Sequence, residues 1–406
     1  MPSVRHLSFV FVAAAAAALA IAPPAAAGRT IRLKVPRFVV PPHTDREVCT
    51  FVRVPMKKAL DLGGSVIVNV GGHGSFTTHH FLMWVYEGKD INRFPPKGQL
   101  VDSKACLDFG PTDTNRRTLI GGAQQPRLKT RLPAGLAQQI KPTVSGGQSV
   151  AGIILNSHWI NGEDTPQKAA VKITLMAAPR HSVRQFLLPL FDVVANGFLK
   201  VPPMEQESVG SDWSPGGFNF GGSFGGGAFP SGPACVVALT SHMHKRGALF
   251  TIEFFNGNTT VECGDKGMMC LTATDYADPP QVQFTPPLLV KVGQGLRYTC
   301  THDNGVNDRP IKMGCEEEAG VIPGVDAATA LFSGRGTTGA AKRCEADADC
   351  PATDPAYPKR TFTGKCVPAN LVFGFTSDDD MCIMPGAWYP ANAAGSCDVS
   401  GLPLLN

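Results

Sequence analysis

Val236-Val-Ala-Leu-Thr-Ser-His242-Met-His244-Lys-Arg-Gly247 is an apolar run that ends in two histidines at i and i+2, just before a glycine. In a strand, residues two apart point to the same face, so both imidazoles can converge on one point. On these residues alone two readings stay open, a pair of metal ligands or a surface pair. The β character of the run recurs on both sides of it. Ser65-Val-Ile-Val-Asn-Val70, His80-Phe-Leu-Met-Trp-Val-Tyr86 and Val150-Ala-Gly-Ile-Ile-Leu155 are short apolar stretches bounded by Gly, Pro, Asn and Asp. Val171, Ile173 and Leu175 alternate with Lys172 and Thr174, the pattern of a half-buried strand. Further strand-like pieces follow at 235–239, 249–255, 282–284, 288–292 and 296–300. Long helical periodicity is missing. The expected fold class is all-β, two tandem antiparallel β-sandwich (jelly-roll-like) domains stabilised by disulfides.

The ends and the joints follow from composition. Arg5, an apolar run from Phe9 to Ala22 and the small residues Ala25-Ala26-Ala27 make a secretory signal peptide over 1–27, cut after Ala27. No later window is apolar enough for a membrane span, so a secreted or periplasmic protein is expected. The 379 residues left of 406 are too many for one small core. They divide into an N-terminal sandwich at 28–177, a linker with a Gly-rich insertion at 178–233, and a C-terminal sandwich at 234–406. Phe198-Leu-Lys-Val-Pro-Pro203 reads as an opening strand of the second β region, followed by the aromatic-glycine stretch from Gly216 to Gly227. A Cys-rich insertion at about 317–365 has too few large apolar residues for its own core.

Without the signal peptide, 36 basic residues face 33 acidic ones. That balance, with no basic stripe, excludes a nucleic-acid footprint. All twelve cysteines lie beyond the signal, an even count that reads as a disulfide framework in an exported protein. No C-x-x-C pair suggests zinc, so metal chemistry falls to histidine and methionine.

Ten histidines are present, and His6 leaves with the signal peptide. His79 and His80 open an apolar strand, and His158 ends another in the same domain. Adjacent histidines on a regular strand face opposite sides, so the pair could share one metal only where the backbone is irregular. The other reading is an ordinary strand entry with one ring in and one out. With His158 the pair would complete a three-nitrogen site, for which copper, zinc, iron and nickel are all suitable. His43, His73, His181 and His302 read as surface or supporting residues, and His73, close to His79, is the one of these to watch.

His79-His80-Phe-Leu-Met, Ser157-His158-Trp-Ile-Asn, His242-Met-His244 and Asp379-Asp380-Met381-Cys382 occur in this order. The set resembles the copper type II, ascorbate-dependent monooxygenases, the family of peptidylglycine α-hydroxylating and dopamine β-monooxygenases. The resemblance spans roughly Cys49 to Cys397. It implies two coppers per chain, held by His79, His80 and His158 at an electron-transfer site and by His242, His244 and Met381 at a dioxygen-binding site. It implies a solvent cleft between the two domains that separates the coppers, ascorbate as reductant, and dioxygen with a small-molecule or peptide-like substrate. It pairs Cys300 with Cys382, and Cys235 with Cys397 is a second bridge compatible with it. A monomer is expected.

The departures concern the substrate. Thr240 stands where the family has an arginine, Pro385 where it has a tyrosine, and Asn156 where the peptide enzyme has a glutamine. Thr240 and Asn156 are therefore the candidates for a rewritten substrate pocket, and a peptide with a C-terminal glycine is disfavoured. The reading that competes with an enzyme is a copper-holding or adhesive double β-sandwich that kept the ligands without turnover.

Overall fold

The computed structural model describes residues 29–95, 98–102, 117–216, 230–307, 309–318, 342–355, 360–374 and 378–405. The expected signal peptide, the stretch 217–229 and residues 319–341 of the Cys-rich insertion lie outside the described residues. The described chain is all-β, with four short 3-10 turns and no α-helix. No helix among the described residues is long and apolar enough to cross a membrane.

The first sandwich is formed by two six-stranded sheets. One runs in the order Thr30–Val40, Gln167–Ala177, Leu60–Val70, Leu136–Ile140 and Gln185–Phe186, with Arg127–Arg131 also on Leu60–Val70. The other runs Leu100–Asp102, Thr44–Pro55, Gln148–Asn161, Phe76–Tyr86 and Arg117–Ala123, with Thr143–Ser145 on Gln148–Asn161. Period-2 alternation aims Val171, Ile173 and Leu175 of the first sheet at Phe81, Met83, Ile153 and Leu155 of the second, and all are buried in one core. The central strand Gln148–Asn161 is covered on its other face as well. Ile154 packs there with Phe51, Trp84, Tyr86 and Phe94. A strand buried on both faces reads as an unbroken apolar run, which is what the 150–155 segment is.

The second sandwich pairs Leu188–Asp192, Met384–Pro390, Ala234–Leu239 and Val282–Val290 in one sheet. The opposing sheet runs Gln206–Trp213, Gln294–Asp303, Gly247–Asn256 and Thr259–Val261, with Met269–Ala273 on Gly247–Asn256. Trp213, Val236, Phe250, Ile252, Phe284, Leu296, Tyr298 and Trp388 fill the space between.

The expected linker at 178–233 is corrected here. Two strands of the second sandwich come from it, Leu188–Asp192 on Met384–Pro390 and Gln206–Trp213 on Gln294–Asp303. The first is short and contains Pro189, and the second is an edge strand whose only large apolar residues are Val209 and Trp213. Neither carries enough alternation to be seen without its partner. The expected opening strand at 198–203 reduces to Lys200–Val201, paired with Leu371–Val372.

Five disulfides lie among the described residues: Cys235–Cys397, Cys263–Cys270, Cys300–Cys382, Cys315–Cys350 and Cys344–Cys366. The last two clamp the hairpin Met313–Glu317 and Phe362–Pro368, the described part of the Cys-rich insertion. This density belongs to an oxidising compartment.

Candidate metal centre

In the first sandwich, His158 pairs with His80, and Trp159 pairs with Thr78. His79 is thus the extra residue of a β-bulge, with His79 and His80 together opposite His158. A bulge re-aims one side chain relative to the regular alternation. That is how two adjacent histidines come to face one point inside a strand, whereas the sequence reading had looked for the irregularity at the strand's start. The three rings are mutually close, with centroids 5.2 Å apart for His79 and His80, and 5.1 Å from His158 to each of them.

The neighbouring strand Thr44–Pro55 supplies two carboxylates. Glu47 pairs with His158 and Asp45 with Ile160 in the register. His158 Nε2 donates to Asp45 Oδ2 at 2.8 Å. His80 Nε2 lies 3.1 Å from Asn156 Oδ1 and 3.3 Å from Glu47 Oε1, while Asn156 Nδ2 donates to the same Glu47 oxygen at 2.8 Å. Burial works to raise the Glu47 carboxyl, but the His80 hydrogen bond and the charge of His158 bring it down to about 2. With Nε2 engaged, His80 and His158 keep Nδ1 buried and without a partner, and His79 has neither nitrogen partnered. Buried polar atoms are normally satisfied, so a cluster of orphaned ring nitrogens requires an acceptor of lone pairs. Asp45→Ala should lower copper affinity at this triad by about 10–100-fold, measured by competition with a chelator, with the fold unchanged by circular dichroism.

In the second sandwich the chain leaves Ala234–Leu239 and stays paired with the 383–385 segment. Thr240 N donates to Pro385 O at 2.9 Å, and His242 and Ile383 exchange both backbone hydrogen bonds at 3.1 Å. Met243 turns the other way into the core, packed so tightly on Gly247 that a Cβ there would fall 2.6 Å from the Met243 Cβ. The glycine after the histidine pair is required by that contact. Asp380 Oδ1 accepts the backbone N–H of His244 and of Met381, both at 2.8 Å. One carboxylate oxygen therefore holds the second histidine and the methionine side by side. His244 Nδ1 donates to Asp379 O at 3.2 Å, which leaves Nε2 buried and unpartnered. Met381 itself is buried beside Val193, Phe373 and Ile383.

The methionine loop is held from behind by groups that were not singled out in the sequence. His302 and Asp380 are both fully buried, with Nδ1 3.3 Å from Oδ2. Lys312, also buried, reaches Asp379 Oδ1 at 2.9 Å and Asp378 Oδ2 at 3.2 Å. Arg246 donates to the Asp378 carbonyl at 2.6 Å. The Cys300–Cys382 bridge fixes the residue after Met381, and Cys382 N donates to Asn196 Oδ1 at 2.6 Å. His302 thus has a supporting place, whereas His43, His73 and His181 are exposed. The supporting acids left a sequence trace, Asp45 and Glu47 at i and i+2 on a strand and the run Asp378-Asp379-Asp380. Nothing in the sequence says which histidine each one meets.

The two groups of histidines are not separated by solvent, and the expected separation is corrected here. The His79 ring lies 5.2 Å from His242 and 4.8 Å from His244, and His80 lies 5.5 Å from His242, centroid to centroid. The bulge carries His79 toward the second sandwich. Gln124 and Gln125 tie the sandwiches together beside it, donating to Tyr276 O at 3.3 Å and Pro279 O at 3.2 Å. Burial, followed by the adjacent imidazoles, pushes His79 and His242 well below the ordinary histidine range. Burial likewise lowers His244 to about 4, although Asp380 pulls the other way. All three rings are therefore neutral near pH 7, the state that ligates metal.

The substrate-pocket candidates are also corrected. Asn156 is buried between His80 and Glu47 and serves the first triad. Thr240 donates its hydroxyl to Pro280 O at 3.0 Å and pairs by its backbone with Pro385.

No family model matches the chain, and no curated protein matches it significantly. Among solved structures, it is similar to the PBSX exported protein XepA, at 7% identity and TM-score 0.15, over 67% of this chain and 86% of that one. It is also similar to the major capsid protein P2 from bacteriophage PM2, at 9% identity and TM-score 0.22, over 66% and 97%. A third likeness is to the Macrobrachium rosenbergii nodavirus, at 10% identity and TM-score 0.16, over 68% and 94%. These likenesses are too loose to carry a functional argument.

Proposed function

We propose that the chain is an exported dicopper monooxygenase that hydroxylates a C–H bond with dioxygen, using ascorbate as electron donor. The observation that supports this reading is the set of five clustered imidazoles at the junction of the two sandwiches, four of them buried and carrying ring nitrogens without partners. His79, His80 and His158 would hold one copper, and His242, His244 and Met381 the other. A bound copper pair supplies one-electron chemistry and activation of dioxygen, and a thioether suits the reduced metal. The protein's own part is to orient. Asp45 and Glu47 fix the tautomers of His158 and His80. Asp380 holds the His244 and Met381 backbones together, and Lys312 neutralises the acids beside it. With Thr240 and Pro385 in place of an arginine and a tyrosine, the site lacks that arginine–tyrosine pair for a substrate carboxylate, so a substrate without a terminal carboxylate is favoured.

Copper analysis tests the reading. The full chain should bind two coppers, and His158→Ala and His242→Ala should each bind one. Two coppers retained in both variants would defeat the assignment. Ascorbate-dependent oxygen uptake coupled to a hydroxylated product, screened over neutral C–H substrates, then separates the enzyme from a protein that only holds copper.

A further inference from the structure

We propose that His79 bridges the two metals through its two ring nitrogens, so that the two copper sites form a single coupled pair. The inference rests on the two-copper reading and adds to it a shared ligand. Ligand atoms of His79, His80 and His158 lie within 4.8 Å of one another, and so do those of His79, His242 and His244. His79 belongs to both groups, one from each sandwich.

The hydrogen bonds set His79 apart from the other buried rings of the cluster. His80 gives one nitrogen to Glu47 and Asn156, His158 gives one to Asp45, and His244 gives one to the Asp379 carbonyl. Each has one nitrogen left for a metal. His79 is buried to 1% exposure with both nitrogens unpartnered. If it ligated a single copper, its other nitrogen would remain a buried N–H with nothing to accept it, an arrangement that costs free energy and is rare in native folds. Bridging satisfies both nitrogens. As the second copper binds, the remaining N–H bond of His79 breaks, a nitrogen–copper bond forms, and the proton leaves to solvent. No electron is transferred in that step. The bulge at His79 thereby acquires a purpose beyond turning the ring to its neighbours, because it sets the ring between two sheets rather than within one.

The test is electron paramagnetic resonance of the full chain loaded with Cu(II). With two coppers bound, bridging through an imidazole couples the spins antiferromagnetically, and the integrated signal is expected to fall almost to zero at low temperature. Loading one copper and one zinc per chain is expected to restore the signal of one spin, which distinguishes coupling from reduction to Cu(I). Two bound coppers with the full intensity of two independent spins would overturn the bridge and leave the two-copper reading standing. Binding of only one copper, or of none, would overturn both. A His79→Ala chain that binds two coppers and is still silent would also overturn the bridge, whereas two separately visible coppers in that variant support it.

Discussion

The metal-free protein is expected to lose several kcal/mol of stability as the pH falls from 7 to 4, and copper loading is expected to remove most of that loss. His79, His242 and His244 are held neutral in the fold by burial among other imidazoles. In the unfolded chain they titrate near 6.5. Below that pH the unfolded state binds protons that the folded state refuses, so unfolding becomes easier as the pH drops. For His244 the folded value is about 4. The gap from 6.5 contributes about 3 kcal/mol at roughly 1.4 kcal/mol per pH unit, fully expressed once the pH passes below 4. Glu47, lowered to about 2, acts in a different window. Its stabilisation is present above its ordinary pKa of 4.5 and is lost as the pH falls through 2. Bound copper occupies the ring lone pairs and keeps the histidines from being the first groups to charge. Guanidinium unfolding followed by the fluorescence of buried Trp159 and Trp213 at a series of pH values measures both curves. A metal-free protein equally stable at pH 7 and pH 4 would show that the cluster is solvated.

Asp380→Ala is expected to abolish copper binding at His242, His244 and Met381 while the first triad keeps its metal. The carboxylate accepts two backbone N–H groups through one oxygen and faces His302 with the other. Without it, two buried backbone donors are orphaned, at roughly 1–3 kcal/mol each, and nothing keeps His244 and Met381 together. Asp380→Asn retains an oxygen for the two donors and should therefore retain most of the second copper. Copper counts and unfolding free energies for the two variants form the measurement. Equal loss in both would mean that charge, rather than the hydrogen-bonded geometry, holds the site. Loss of the first copper as well would mean that the two triads do not assemble independently.

Much of the scaffold was legible from local pattern. The alternation of Val171, Ile173 and Leu175 appears in the buried face of Gln167–Ala177, and the apolar run at 150–155 became the strand covered on both sides. These signals are local, since burial of a strand face imposes its period on consecutive residues. Leu188–Asp192 and Gln206–Trp213 were missed because an edge strand satisfies only one ladder and needs little apolar surface. Asn156 was placed in the substrate pocket because the position alone does not reveal its neighbours. Once Glu47 and His80 are seen on the strands either side of it, its amide has no freedom to meet a substrate.

By itself, the sequence determined that the chain is β-structured in two blocks, that its cysteines can staple it, and that histidines stand where strands end or begin. Those are properties of residue type and short spacing. Only the tertiary structure decided that His79 is the extra residue of a bulge, that Asp45, Glu47 and Asp380 hold the histidine strands, and that the two histidine groups meet in one cluster. Register between strands distant in sequence depends on which faces are buried against each other. A shift of one residue sends a side chain to the opposite face. At His79 a single inserted residue turns a ring out of the regular alternation and up against the second sandwich.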